Sequence, residues 1–213
     1  MGDAPPTASN AARGTPMRAP ARGRYDRAAS ADERCHAQRE RLLLATLTAF
    51  AAAPPAPTVT DVVRRAGVGR NTFYAHFADL DAALLAAAAI VTGDVELRVR
   101  RALGDIRTPL ERLRELARAW LAALLRHPRV ARALLMPRLV EGSRARSHLG
   151  ESFRVLLTEV IEAARADAAV GARASAERVS AMSAAAEHVA LDALDGVPHR
   201  SDELADLLVR AFR

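Results

Sequence analysis

Five polar side chains able to read or hold nucleic acid occur close together in the N-terminal part of the chain: Arg70, Asn71, Thr72, Tyr74 and His76. An arginine guanidinium pairs with a guanine edge, and an asparagine amide pairs with adenine. Threonine, tyrosine and histidine hydrogen-bond phosphate oxygens. Gathered on one side of a helix, these residue types predict a surface that contacts DNA.

The element expected to present them is a helix-turn-helix. Thr58 and Asp61 in T-V-T-D have the spacing of a capping box, which predicts the start of a short helix. Gly67-Val68-Gly69 predicts the tight turn that follows, because glycine takes positive φ without steric cost and Val68 is free to enter the core. The apolar residues expected to face inward from the first of the two helices are Val59, Val62, Val63 and Ala66.

The second helix of the pair is expected to start at Arg70. Phe73 and Phe77 lie four residues apart, and so on one face of this helix. If that face is buried, the five polar side chains are left on the exposed side. The two phenylalanines are therefore the predicted anchors of the DNA-contacting surface.

A further helix is predicted ahead of this pair. Ser30 and Glu33 form another capping box, and the adjacent Pro54 and Pro55 end the helical pattern. Residues 1–29 are rich in Ala, Pro, Gly and Ser without apolar periodicity, which predicts a disordered arm. Its five arginines are expected to be solvated, with phosphate contact as the alternative.

From Ser30 to Leu85 the sequence resembles the tetracycline-repressor (TetR) family of bacterial regulators. The resemblance rests on the Gly67-Val68 turn, the Thr72-Phe73-Tyr74 step, the His76-Phe77 end and the segment FADLDAALL that follows. It implies an all-α protein with three N-terminal helices for DNA binding and about six C-terminal helices for effector binding and dimerisation. The implied division is 1–29 as the arm, 30–82 as the DNA-binding domain and 83–213 as the regulatory domain.

The resemblance also implies roles for individual residues. Arg70, Asn71 and Thr72 would face base edges, whereas Tyr74 and His76 would touch phosphates. The remaining members of the implied DNA-binding set are Thr58 and Thr60, as phosphate contacts, and Gly69 in the turn. The chain departs from the family at Leu80, where many relatives carry a phosphate-contacting lysine.

The rest of the chain is helical in pattern, with expected helices at about 79–103, 144–169, 175–194 and 201–212, one that starts at Pro109 and includes Leu124, and a short one between Pro128 and Pro137. Gly93 is expected to weaken or bend the first of these. Thr108-Pro109-Leu110-Glu111 predicts a third capping box. The last two helices suggest a homodimer, with completion of the monomer core as the alternative. The predicted seam of small side chains is Val179, Met182, Ala186, Val189 and Ala193.

Family members bind a small, often apolar effector in the larger domain, and the resemblance implies the same here. Each candidate for the pocket lining has an alternative role as ordinary core, and His188 as a solvent-facing residue. The candidates are Trp120, Leu124, Met136, Phe153, Leu157, Met182 and His188.

The competing class is a metal-dependent enzyme or a helical small-molecule-binding protein that reads no DNA sequence. The best catalytic candidate, His188 with Asp192 and Asp195, is more typical of a solvated polar face. No nucleophile elbow or phosphate-binding loop occurs, and Gly67-Val68-Gly69 lacks the strand context of a nucleotide loop. We expect neither an enzyme nor a cofactor or metal.

Composition sets the remaining limits. The 213 residues carry a net charge of +6, but all 31 basic residues are arginine, which reflects coding bias more than selection for charge. Cys35 is the single cysteine and allows no internal disulfide. The absence of a signal peptide or spanning segment predicts a soluble cytoplasmic protein. The prediction is a regulator, most simply a repressor that a small molecule releases from a palindromic operator.

Overall fold

The computed structural model describes residues 30–52, 56–135, 147–166, 175–198 and 200–213. These ranges contain nine α-helices and no strand, which confirms the all-α prediction. The predicted arm, the Pro54-Pro55 break and Met136 lie outside them. The helices are α1 (Ala31–Phe50), α2 (Val59–Ala66), α3 (Arg70–His76), α4 (Leu80–Leu103), α5 (Pro109–Leu125), α6 (Pro128–Leu135), α7 (Ser147–Ala166), α8 (Ala176–Leu194) and α9 (Arg200–Phe212).

Helices α1 to α3 surround a small apolar core. The capping box that starts α1 is confirmed: the Glu33 amide donates to the Ser30 hydroxyl at 3.1 Å, and the Ser30 amide donates to the Glu33 carboxylate at 2.6 Å. Leu42 on α1, Val62 on α2 and Phe73 on α3 are each completely buried there. Ala83 and Ala87 at the start of α4 join the same cluster, so α4 is tied to the first three helices.

Helices α4 and α5 form an antiparallel hairpin. Helix α4 starts at Asp79, whose carboxylate accepts from the Ala82 amide at 2.7 Å, and it runs without a break through Gly93. The Arg112 guanidinium reaches back to the Leu103 and Ile106 carbonyls at 3.2 and 3.1 Å. It thereby places a cation at the negative C-terminal end of α4.

The third predicted capping box does not form, and that prediction is wrong. Thr108 precedes α5, and Pro109 occupies its first turn as expected. However, the Thr108 hydroxyl donates to the Glu111 carboxylate and caps no backbone amide. The two side chains therefore bond to each other, and the backbone half of the box is missing.

Helix α5 is the centre of the larger core and packs against α4, α7, α8 and α9. Its buried residues lie on more than one side, as the width of its apolar pattern predicts: Leu113, Leu116, Ala117, Trp120, Leu121, Ala123 and Leu124.

The seam predicted on α8 faces this core. Val179, Ala186 and Val189 are buried within a single chain, as are Leu204 and Leu208 on α9. The alternative reading of these two helices, completion of the monomer core, therefore accounts for the seam. The opposite, exposed side of α8 carries mostly small residues: Ser180, Ala181, Ala184 and His188. Within the described ranges no helix is both long and apolar enough to cross a membrane.

Candidate nucleic-acid interface

Helix α2 has a fixed N-terminus. The Asp61 carboxylate accepts from the Thr58 amide at 3.0 Å and from the Thr58 hydroxyl at 2.7 Å. The Asp61 amide donates to the same hydroxyl at 3.3 Å, which confirms the capping box. The Thr58 hydrogen bonds, assisted by the Arg64 charge, lower the pKa of Asp61. Since both Thr58 donors are engaged by Asp61, the exposed Thr60 is the freer of the two predicted phosphate contacts.

The turn after α2 has the predicted backbone. Gly67 lies in the left-handed region at φ 66° and ψ 38°, and its amide donates to the Val63 carbonyl. The Val68 amide donates to the same carbonyl at 3.1 Å. Val68 packs against the small core, while Gly69 has an ordinary φ of −81° and is exposed. This geometry sets the angle at which α3 leaves α2.

Only one side of helix α3 is buried against the rest of the protein. Phe73 is completely buried and Phe77 is 6% exposed, with ring centroids 5.8 Å apart. Arg70, Asn71 and Tyr74 are exposed, and the Tyr74 and Phe73 rings pack in a T-shaped arrangement with centroids 5.4 Å apart. The helix thus presents an outer face that is free to enter a groove.

The remaining two polar residues of α3 are less exposed than the pattern suggested. Thr72 and His76 are half-buried, and the His76 ring lies 6.3 Å from that of Phe77. They flank the outer face, where a phosphate contact needs only the polar tip of the side chain to be free.

Arg39 belongs to the same surface, although no pattern in the sequence indicates that it should. Its guanidinium carbon lies 5.5 Å from the centroid of the Phe77 ring, a cation–π distance that attaches α1 to the end of α3. Arg39 is exposed and forms no ion pair with a carboxylate in the described part of the chain. Only the packing of α1 against α3 brings it here, and no spacing rule along the chain signals that.

Leu80 has a structural role. It is half-buried and packs against both apolar clusters at the start of α4. A side chain committed to the core in this way makes no phosphate contact, so the departure noted at this position is explained by packing.

The surface is positively charged. Arg65 on α2 and Arg70 on α3 are exposed and, like Arg39, form no close ion pair among the described residues, although the Arg65 charge acts on Asp61 from farther away. Arg64 is neutralised by Asp61 at 2.6 Å. Three unpaired guanidinium groups on three neighbouring helices suit a polyanionic partner.

The predicted pocket residues fall into two groups. Trp120, Leu124, Phe153 and Leu157 lie together in the larger core, with the Trp120 and Phe153 ring centroids 4.5 Å apart. Met182 is half-buried against the same core. The prediction for His188 needs correction, because its side chain is exposed on α8 and does not line the interior of one chain.

The candidate catalytic group is not assembled. Asp192 pairs with Arg200 at 3.2 Å, and Asp195 pairs with Arg132. In the part of the chain that the structure describes, no three histidine, cysteine or carboxylate side chains are placed to hold a metal ion. The carboxylates instead join α8 to α9 and α6.

Comparison with known proteins gives matches in structure only. No protein-family model and no curated protein sequence matches the chain. A TetR-family transcription regulator from Marinobacter aquaeolei superposes with a TM-score of 0.62 at 16% identity, covering 85% of this chain and 98% of that one. The regulatory protein TetR from Rhodobacter sphaeroides gives 0.63 at 20% identity, covering 83% and 99%. The regulator FadR from Bacillus subtilis, solved with stearoyl-CoA, gives 0.64 at 12% identity, covering 82% and 99%. The chain therefore has the fold of the TetR-family transcription regulators.

Proposed function

We propose that this protein is a DNA-binding transcriptional regulator that acts as a homodimer on a palindromic operator. The observation that carries the proposal is the one-sided burial of α3, in which Phe73 and Phe77 face the core while Arg70, Asn71 and Tyr74 face outward. A short helix after a glycine turn, with polar residues on its free side, fits the major groove. The DNA-binding part corresponds to residues 30–82 and the regulatory part to 83–213.

The roles proposed for individual residues in DNA binding follow from their side-chain chemistry and their positions. Arg70 and Asn71, at the first turn of α3, read base edges with Thr72, while Tyr74 and His76 hold phosphates. Thr60 and Gly69 approach the backbone from the start of α2 and from the turn, and Thr58 orders that start through Asp61. Arg39 adds a further phosphate contact beside Phe77.

Dimerisation is proposed through the outer side of α8. Its exposed residues Ala181, Ala184 and His188 recur at intervals of three and four, and the alanines allow close approach of a second helix. A two-fold pair would set two α3 helices roughly 34 to 36 Å apart, one turn of DNA. In this arrangement His188 lies at the interface between subunits.

The regulatory part is proposed to bind a small molecule that releases DNA, so that repression ends when the effector accumulates. Helix α4 supports this coupling because Ala83 and Ala87 pack with the first three helices, whereas Val95 and Val99 pack in the larger core. A ligand that prefers one α4 position would shift the spacing of the two α3 helices.

The proposal is tested by gel retardation with DNA flanking the gene that encodes the protein. We expect a complex that the same fragment competes and random DNA does not. Asn71→Ala should relax the preference at one base pair in each half-site. Equal loss of affinity for every sequence would show that Asn71 reads no base, and failure to discriminate any fragment from random DNA would favour a helical ligand-binding protein.

A further inference from the structure

Ala75 lies on the side of α3 that faces away from the core. Successive residues of an α-helix are about 100° apart around its axis, so a residue two positions from Phe73 lies about 160° away from it. Asn71 and Ala75 are the two residues at that spacing, and both are exposed, whereas Phe73 is completely buried. The line from Asn71 to Ala75 therefore forms the outermost ridge of the helix.

Ala75 lies almost directly in line with Asn71 along this ridge. Residues four positions apart in a helix are separated by about 40° around the axis and by about 6 Å along it. The Tyr74 ring is turned toward Phe73, with the ring centroids 5.4 Å apart. An orientation of α3 that brings the Asn71 amide to a base edge therefore brings the Ala75 methyl group into the same groove.

Helix α3 is short enough to lie in the groove over its whole length. Its seven residues span about 10 Å, whereas the major groove is about 12 Å wide. Base pairs are stacked about 3.4 Å apart, so Asn71 and Ala75 reach base pairs that are one or two steps apart. The small side chain of Ala75 also lets the helix backbone come close to the bases.

The chemistry of an alanine side chain limits what it can read in DNA. Its methyl group neither donates nor accepts a hydrogen bond, so it gains nothing from the polar atoms of the base edges. The major groove exposes one apolar group, the C5 methyl of thymine, and alanine is among the residues that contact it. Contact between the two methyl groups removes apolar surface from water, which stabilises a complex with thymine relative to one without the methyl.

We propose that Ala75 is a specificity-determining residue that contacts the C5 methyl group of one thymine in each half-site. That thymine lies one or two base pairs from the base pair that Asn71 reads. The contact differs from those proposed for Arg70 and Asn71, because it depends on a methyl group and not on a hydrogen bond. This inference rests on the proposed function, since it assigns a further base contact to the same helix.

The test replaces thymine with deoxyuridine, which pairs with adenine in the same way and lacks only the C5 methyl. Duplexes that the protein selects from a random-sequence pool are synthesised with single replacements, and Kd is measured by gel retardation. We expect replacement of the contacted thymine to weaken binding by about fourfold, the effect of one buried methyl-sized group. At that position, 5-methylcytosine paired with guanine should bind more tightly than unmodified cytosine by a similar factor.

Ala75→Gly identifies the side chain that makes the contact. We expect this variant to bind the thymine and deoxyuridine duplexes with nearly equal Kd at that position. Ala89→Gly is the matched control, because Ala89 is an exposed alanine within a helix, on α4 instead of α3. Both variants place glycine in a helix, which costs stability, but Ala89→Gly should keep the wild-type ratio of the two Kd values.

A purely structural role for Ala75 would weaken binding to both duplexes equally, so an unchanged ratio in Ala75→Gly would overturn the inference. The same holds if no thymine replacement weakens binding by the wild-type protein. The proposed function is judged by a different result, the selection of a specific sequence from the pool. A protein that selects a sequence but is insensitive to deoxyuridine would retain the function and lose this role of Ala75, whereas one that selects no sequence would lose both.

Discussion

Arg100 on α4 and Glu159 on α7 form a two-point ion pair. The Nη1 and Nη2 atoms of Arg100 lie 2.5 and 2.9 Å from Oε2 and Oε1 of Glu159. The pair joins α4, which packs with the first three helices, to α7 in the larger core. It is about half-exposed, and the Arg100 hydrogen bond lowers the pKa of Glu159 below its ordinary value of 4.5.

Replacing Glu159 with Gln should lower the free energy of unfolding by less than about 1 kcal/mol at neutral pH, since solvent screens the pair. Because the folded-state pKa is lowered, the stabilisation is present above pH 4.5 and is lost as the pH falls below it. The difference between wild type and Glu159→Gln should therefore shrink below about pH 4.5 in urea denaturation at a series of pH values.

Glu162→Gln is the control for this series, because Glu162 pairs with Arg165, three residues later on the same helix, at 2.9 Å. Its effect should be smaller at neutral pH. If Glu162→Gln and Glu159→Gln gave the same loss, the cross-helix geometry of the Arg100 pair would contribute nothing measurable.

The two glycines of the turn offer a second comparison. A Cβ atom at either Gly67 or Gly69 would meet nothing within 4 Å, so the comparison isolates the backbone. Gly67→Ala should destabilise by about 1 to 2 kcal/mol, since alanine is strained at φ 66°. Gly69→Ala should destabilise less, because its φ of −81° suits any residue and the only cost is that alanine is a poorer N-cap than glycine for α3.

Chemical denaturation of both variants checks this prediction. Equal losses would mean that the left-handed conformation of Gly67 is not what the turn requires. DNA binding by Gly69→Ala then tests separately whether the backbone at Gly69 approaches a phosphate.

Local signals in the sequence predicted the first three helices well. Each of these signals depends on residues within four positions of one another. The signals are the capping boxes at Ser30 and Thr58, the turn at Gly67 and the pairing of Phe73 with Phe77. Interactions between residues so close in sequence depend on the local sequence, so they can be predicted without knowledge of the tertiary structure.

What the sequence could not show depends on packing between distant elements. Arg39 meets Phe77 only after α1 packs on α3. The seam on α8 was ambiguous for another reason. A stripe of small apolar residues looks the same whether it faces its own core or a second subunit, and here Ala186 faces its own core.

Phe73 should determine stability without taking part in recognition. Phe73→Ala should lower the free energy of unfolding by about 3 to 5 kcal/mol, since it empties a fully buried site. Phe73→Leu should cost less than about 1.5 kcal/mol if the core repacks, and the folded variant should keep the wild-type base preference. A folded Phe73→Leu protein with altered base preference would place Phe73 in the recognition surface.

The salt dependence of DNA binding tests whether Arg39 contacts a phosphate, because a residue with only a structural role would not change that dependence. Each phosphate neutralised by a protein cation contributes about −0.9 to the slope of log K against log salt concentration. A dimer carries two copies of Arg39, so Arg39→Gln should make the slope shallower by about 1.8, whereas Arg39→Lys should keep most of it. Operator binding titrated across salt concentrations measures the slope directly.

Arg98→Gln is the control for non-specific loss of charge, because Arg98 lies on α4 beyond the three N-terminal helices and pairs with Asp94 at 2.7 Å. The slope of log K against log salt concentration for Arg98→Gln should equal that of the wild type. If Arg39→Gln weakened binding with an unchanged slope, Arg39 would act only by holding Phe77 through the cation–π contact. If Arg39→Lys lost as much affinity for DNA as Arg39→Gln, the cation–π role would also be supported. Lysine keeps the charge but lacks the planar guanidinium group that stacks on the Phe77 ring.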